Sequence, residues 1–124
     1  MHGVLFTPTF ERHARDAGLD EDEIIAIASW LAENPLAGDL MQGAGGARKV
    51  RFAREGKGKS GGYRTIHYYG GDDVPLFLLA LIDKGARGNL SIAERNELAK
   101  LLPRIGKAYR ESVKERANPE REPR

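Results

Sequence analysis

The sequence predicts an α+β fold: a small antiparallel β-sheet of about four strands, preceded by two helices and followed by a third. Three observations lead there. Asp20-x-x-Glu23 and Ser91-x-x-Glu94 are capping-box signatures, each opening a segment whose apolar residues recur at helical spacing. Arg48–Phe52 and Tyr63–Tyr69 read as two strands separated by a Gly/Lys turn. Pro75–Ile82 is nearly all apolar and bounded by turn residues, the pattern of a strand buried on both faces.

Taken in order, Val4-Leu5-Phe6 is a short strand ended by Thr7-Pro8, where Thr caps and Pro occupies the first position of a helix over about residues 8–17. The second helix starts at Asp20, carries Ile24, Ile27, Ala28 and Leu31 on one face, and stops at Asn34-Pro35. Trp30 lies beside that stripe and is assigned to the core. Residues 36–47 have the glycine density of a sharply turning loop. Arg48-Lys49-Val50-Arg51-Phe52 alternates basic and apolar residues, so this strand has one face in water. After the hairpin, Gly70-Gly71-Asp72-Asp73 is a turn into the buried strand. In the closing helix Leu98, Leu101, Leu102, Ile105 and Tyr109 share a face, and Pro103 should kink or break it. Residues 118–124 offer nothing to bury and read as a disordered tail, leaving residues 1–117 as one domain. The predicted order is β-α-α-β-β-β-α, the last three strands forming an antiparallel meander with helices on one face and the other face open.

Composition narrows the chemistry. With no cysteine there is no disulfide, thiolate nucleophile or Cys-based zinc site. His2, His13 and His67 form no ligand pair, so neither a metal nor a cofactor is expected. No apolar run approaches the ~18 residues of a membrane span, and a cytoplasmic location is expected. Ala53–Ser60 has the spacing of a loose phosphate-binding loop, but a phosphate loop needs a strand before it and a helix after it. Here Gly61-Gly62 and an aromatic, β-branched run follow, so the segment reads as a hairpin loop.

Charge is segregated along the chain. Residues 1–37 hold seven acidic side chains against Arg12 and Arg15, whereas residues 48–64 hold seven basic ones against Glu55 alone, a net of +6. A local excess of this size on one hairpin points to a polyanion, and nucleic-acid phosphate is the commonest. Along the second hairpin strand, alternation places Arg64, Ile66 and Tyr68 on one face and Tyr63, Thr65, His67 and Tyr69 on the other. His67 has the titration range of a general base, yet lies opposite Arg64 and is assigned to packing or a hydrogen bond.

Asn34-Pro35-x-x-Gly38-Asp39, Gly43-x-Gly45-Gly46-x-Arg48-Lys49-x-Arg51, Gly56-Lys57-Gly58-Lys59-x-Gly61-Gly62-x-Arg64, Tyr68-Tyr69 and Leu90-Ser91 together resemble the RelE/HigB-type toxins of bacterial type II toxin-antitoxin systems. The similarity spans roughly residues 4 to 105. It implies a RelE-like fold and cleavage of mRNA in the ribosomal A site without a metal. The implied partners are a cognate antitoxin, often with a helix-turn-helix domain, and the ribosome with its mRNA; DNA is reached only through the antitoxin. Arg64 matches the arginine expected at the scissile phosphate, Lys84 a lysine that contacts phosphate or moves a proton, and Tyr68 can stack on a base. Arg48, Lys49, Arg51, Lys57 and Lys59 match RNA-backbone contacts. Gly85-Ala86 stands where the family commonly has Asn and Glu. That departure keeps two alternatives open: a non-catalytic antitoxin-binding co-repressor and a gyrase poison of the related ParE branch.

Overall fold

The computed structural model describes residues 3–54, 58–83 and 91–117. Its elements run β1 (Val4–Phe6), α1 (Pro8–Asp16), α2 (Glu21–Glu33), β2 (Asp39–Leu40), β3 (Arg48–Arg54), β4 (Gly58–Tyr68), β5 (Leu76–Asp83) and α3 (Ile92–Ala117).

The helix starts are set locally. The Thr7 hydroxyl accepts the Phe10 N–H at 3.1 Å, with Pro8 at the first helical position. Asp20 and Glu23 form the reciprocal capping box, at 2.8 and 3.1 Å. Ser91 and Glu94 repeat it at the start of α3. Each satisfies donors that a helix end leaves unpaired, worth about 1 kcal/mol apiece. α3 continues through Pro103, so of the expected kink or break the break does not occur. Leu102 beside it is fully buried, so packing on one side holds a helix that the proline weakens on the other.

The sheet is mixed and five-stranded, in the order β1-β5-β4-β3-β2, where an antiparallel sheet of about four strands was expected. β5, β4, β3 and β2 are antiparallel neighbours, as the meander reading requires. β1 runs parallel to β5, pairing Val4 with Leu76 and Phe6 with Leu78. A three-residue strand followed by a helix carries no local signal of which neighbour it will join. β2 is only two residues long and fell inside the predicted loop.

β5 is buried from Leu76 through Ile82, as its apolar run predicts. Leu76, Leu78 and Leu81 pack with Phe10, Ala14, Ile27 and Leu31 of α1 and α2. Phe77, Leu79, Ala80 and Ile82 pack with Leu98, Leu102 and Ile105 of α3 and with Met41, Ala44 and Ala47 of the glycine-rich loop. The expected open face is therefore partly covered by α3. Leu79 and Ala80 face the same side because the β4–β5 ladder steps from Ile66–Ala80 to His67–Leu78, leaving Leu79 as a bulge. The Leu79 carbonyl is met by the Thr7 hydroxyl at 3.0 Å, and the Leu81 N–H donates to His13 Nδ1 at 3.2 Å. Where β1 ends, α1 thus satisfies the edge of the central strand.

β3 and β4 confirm the hairpin reading over the phosphate-loop one, with Arg54 pairing to Gly58. Gly62 sits in β4, where a Cβ would lie 2.7 Å from the Phe52 carbonyl oxygen. Trp30, assigned to the core, is 43% exposed and meets the Phe52 ring edge-on. The tail at 118–124 lies outside the described residues.

Gly45 separates conformational from steric requirements in the loop beneath α3. Its φ is +68°, and a Cβ would fall 2.8 Å from the Leu98 carbonyl oxygen and 2.9 Å from Ala99 Cα. Gly43, at φ +73°, has open space around it. Gly43→Ala should cost about 1 kcal/mol from left-handed strain alone, and Gly45→Ala at least about 1 kcal/mol more by displacing α3. Urea unfolding of the two variants checks the difference.

Candidate nucleic-acid interface

The register of β3 on β4 decides where each basic side chain goes. Val50 opposes Thr65 and Phe52 opposes Tyr63, all four toward α1 and α2. Lys49 opposes Ile66 and Arg51 opposes Arg64, so Lys49, Arg51 and Arg64 share the α3 face, as alternation predicts for Arg64. Arg51 is exposed; Lys49 and Arg64 are half-buried. α3 covers this face at Ile66.

Arg51 and Arg64 are a direct cross-strand pair, with Cβ atoms about 5 Å apart by the geometry of such pairs. Like charges so placed repel and cost stability. What the arrangement offers in return is a pair of planar guanidinium groups that can bind one phosphate through several charge-assisted hydrogen bonds. Lys49 extends the same face along β3 toward β2.

The structure does not bring Tyr68 to this pair. Tyr68 lies four residues along β4 from Arg64, about 13 Å at strand rise, with fully buried Ile66 between them. Its ring stacks on Phe77 with centroids 6.5 Å apart. A Cβ at Gly46 or Gly70 would lie 3.2 or 3.1 Å from it. Tyr68 is half-buried and packed against the cluster under α3. Beside it, Arg110 of α3 bonds Asp73 at 2.7 Å and the Gly70 carbonyl, tying the helix to the turn before β5.

Arg48 faces the other way. Its Nη1 donates to the Leu36 and Gly38 carbonyl oxygens at 3.0 and 3.3 Å. Directly opposite it on β4, His67 is fully buried and donates from Nε2 to the Pro35 carbonyl at 2.9 Å. Two basic side chains thus clamp the carbonyls of residues 35, 36 and 38. Gly38 makes this approach possible, because at φ +86° a Cβ would lie 2.3 Å from the Lys49 carbonyl oxygen. Burial lowers the His67 pKa, the Pro35 hydrogen bond opposes that, and the Arg48 charge adds to the lowering. His67 is neutral, turned away from Arg64, and in the packing and hydrogen-bonding role expected for it.

Lys57 and Lys84 lie outside the described residues. Lys59 stands in β4 and not in the loop; its side chain is outside the described set. Among the described residues, no three His, Asp or Glu side chains converge to hold a metal, and no helix is long and apolar enough to cross a membrane. The Arg48–His67 clamp was not foreseen. Its only signal in the sequence is the Asn34-Pro35-x-x-Gly38 segment, whose glycine marks a close backbone approach.

A protein-family model described as the RelE toxin of the RelE/RelB toxin-antitoxin system matches residues 3–120. The match includes every element of the sheet and all three helices.

The clamp has a pH signature. The folded state excludes a proton from His67, while the unfolded chain takes one up near 6.5. Its contribution is therefore complete above about pH 6.5 and is lost as pH falls through that value toward the depressed folded pKa. Wild type should lose stability between pH 7.5 and 5.5 by about 1 kcal/mol more than His67→Gln, which keeps a donor for Pro35 but does not titrate. Urea unfolding at the two pH values measures it.

Proposed function

Because the chain belongs to the RelE toxin family, we propose that it is a ribosome-dependent endoribonuclease that cleaves mRNA using the RNA's own 2′-hydroxyl. The carrying observation is the cross-strand Arg51–Arg64 pair with Lys49 beside it. In this reaction the 2′-oxygen attacks the adjacent phosphorus while its proton passes to a base. The P–O5′ bond breaks, the leaving 5′-oxygen gains a proton, and a 2′,3′-cyclic phosphate remains. Negative charge builds on the phosphorane oxygens, so a fixed guanidinium supplies transition-state stabilisation without itself being consumed.

In this reading Arg64, half-buried and held by strand pairing on both sides, faces the scissile phosphate. Arg51 and Lys49 dock the backbone beside it, Lys57 and Lys59 extend the docking surface, and Lys84 contacts phosphate or relays a proton. Arg48 acts indirectly: by holding residues 36 and 38 it secures β2 on β3. The family implies a cognate antitoxin; we take it to carry a helix-turn-helix domain through which the pair reaches DNA, and place the toxin in the cytoplasm with the ribosome.

Induced expression should arrest growth with cleaved mRNA. Arg64→Ala should lower cleavage by at least about 100-fold and restore growth. Arrest with DNA damage and intact mRNA would point instead to a gyrase target, and an inert wild type to a non-catalytic partner. RNA association should weaken as salt rises, and Arg51→Ala or Lys49→Ala should each reduce the slope of log K against log salt by about 0.7, whereas Arg48→Met should leave it unchanged.

A further inference from the structure

On the face of the sheet away from Arg64, α2 and β3 enclose a groove of about 720 Å³. One wall is the α2 stripe Asp20, Glu23, Ala26 and Trp30; the other is Arg51, Phe52 and Ala53 of β3, with Arg51 reaching the groove from the sheet edge. Trp30 is 43% exposed and makes an edge-to-face contact with Phe52, ring centroids 5.5 Å apart. A large aromatic left this open beside a groove is a common anchor of protein interfaces and an uncommon feature of plain surface.

The neighbouring edge is unfinished in two respects. β2 pairs with β3 only at Lys49 and Arg48, so beyond Lys49 no strand among the described residues lies on that side. The Ala47 carbonyl accepts the Met41 N–H across this edge, and alternation then turns the main-chain groups of Arg51 and Ala53 outward as well. Leu36 and Leu40, 62% and 61% exposed, stand at the same edge, Leu40 on the α2 side through its pairing with Arg48.

Charge selects the occupant. Asp20 and Glu23 line the groove with Arg51, and Glu21 and Asp22 adjoin them at the start of α2, so carboxylates outnumber the one guanidinium. These carboxylates repel a nucleic-acid strand and favour lysine or arginine. The occupant that fits is thus a polypeptide presenting a large apolar side chain to Trp30 and basic residues to the acidic end.

We propose that this groove anchors the cognate antitoxin through such an apolar, basic segment. The identity of the partner rests on the toxin reading; the site itself rests on the groove. The two sites then adjoin at Arg51, with RNA on the Lys49–Arg64 side and the antitoxin anchor on the Trp30 side.

The test is calorimetric titration of the purified product of the adjacent antitoxin gene into wild type, Trp30→Ala and Ala26→Arg. Ala26 is an exposed groove position on α2, where an arginine suits the helix but fills the groove with bulk and positive charge. Each variant should weaken binding by at least about 30-fold, while growth arrest in the absence of antitoxin persists. Binding of both variants within twofold of wild type overturns the proposal. So does lost growth arrest with unchanged antitoxin binding, which would make the groove a ribosome contact. Loss of self-association in ultracentrifugation with unchanged antitoxin binding would also overturn it, in favour of a second copy. Should Trp30→Ala unfold, Ala26→Arg decides. If wild type fails to arrest growth, the nuclease reading falls and the titration still decides the groove.

Discussion

Burial of β5 on both faces is the constraint from which the rest of the architecture follows. Seven consecutive residues, Leu76 through Ile82, are withdrawn from water, and each large apolar side chain so buried stabilises the fold by about 1.5–3 kcal/mol. A strand of this kind cannot sit at a solvated edge. It needs a neighbour on each side, supplied by β4 and β1, and a cover on each face, supplied by α1 and α2 on one and α3 on the other. The bulge at Leu79 lets two successive side chains enter the α3 cluster, and the carbonyl it frees is taken up by Thr7 at the entry to α1. The strand, the bulge and the helix cap are therefore one packing solution.

Covering β5 determines what remains available on β3 and β4. α3 reaches across Ile66 and Tyr68, and the same face continues past it to Arg64, Arg51 and Lys49. On the opposite face Arg48 and His67 turn inward onto the carbonyls of residues 35 to 38. Neighbouring cations in one strand thus have different tasks. Lys49 and Arg51 take the α3 face while Arg48, one residue away, becomes part of the scaffold, because strand side chains alternate with a period of two. A one-residue slip would exchange the two sets, which gives the Arg48–His67 clamp a role in keeping the basic face basic.

The sheet separates the acidic first third and the basic middle third of the chain only in part. The carboxylates at the start of α2 border the Trp30 groove, where Arg51 joins them, while Lys49 and Arg64 take the α3 side of the sheet.

Much of this was written in local patterns. Asp20-x-x-Glu23, Ser91-x-x-Glu94 and Thr7-Pro8 determined where helices begin, because a cap involves residues three apart and nothing distant. The apolar run at Leu76–Ile82 and the alternation from Tyr63 to Tyr68 determined the central strand and the side of the sheet on which Arg64 and His67 each lie. Tertiary structure alone decided which elements meet. The parallel docking of β1, the two residues of β2, the helix running through Pro103, the exposure of Trp30, the packing of Tyr68 far from Arg64 and the diversion of Arg48 all depend on partners many residues away. Periodicity tells a side chain which face to take; what covers that face is settled only when the whole chain packs.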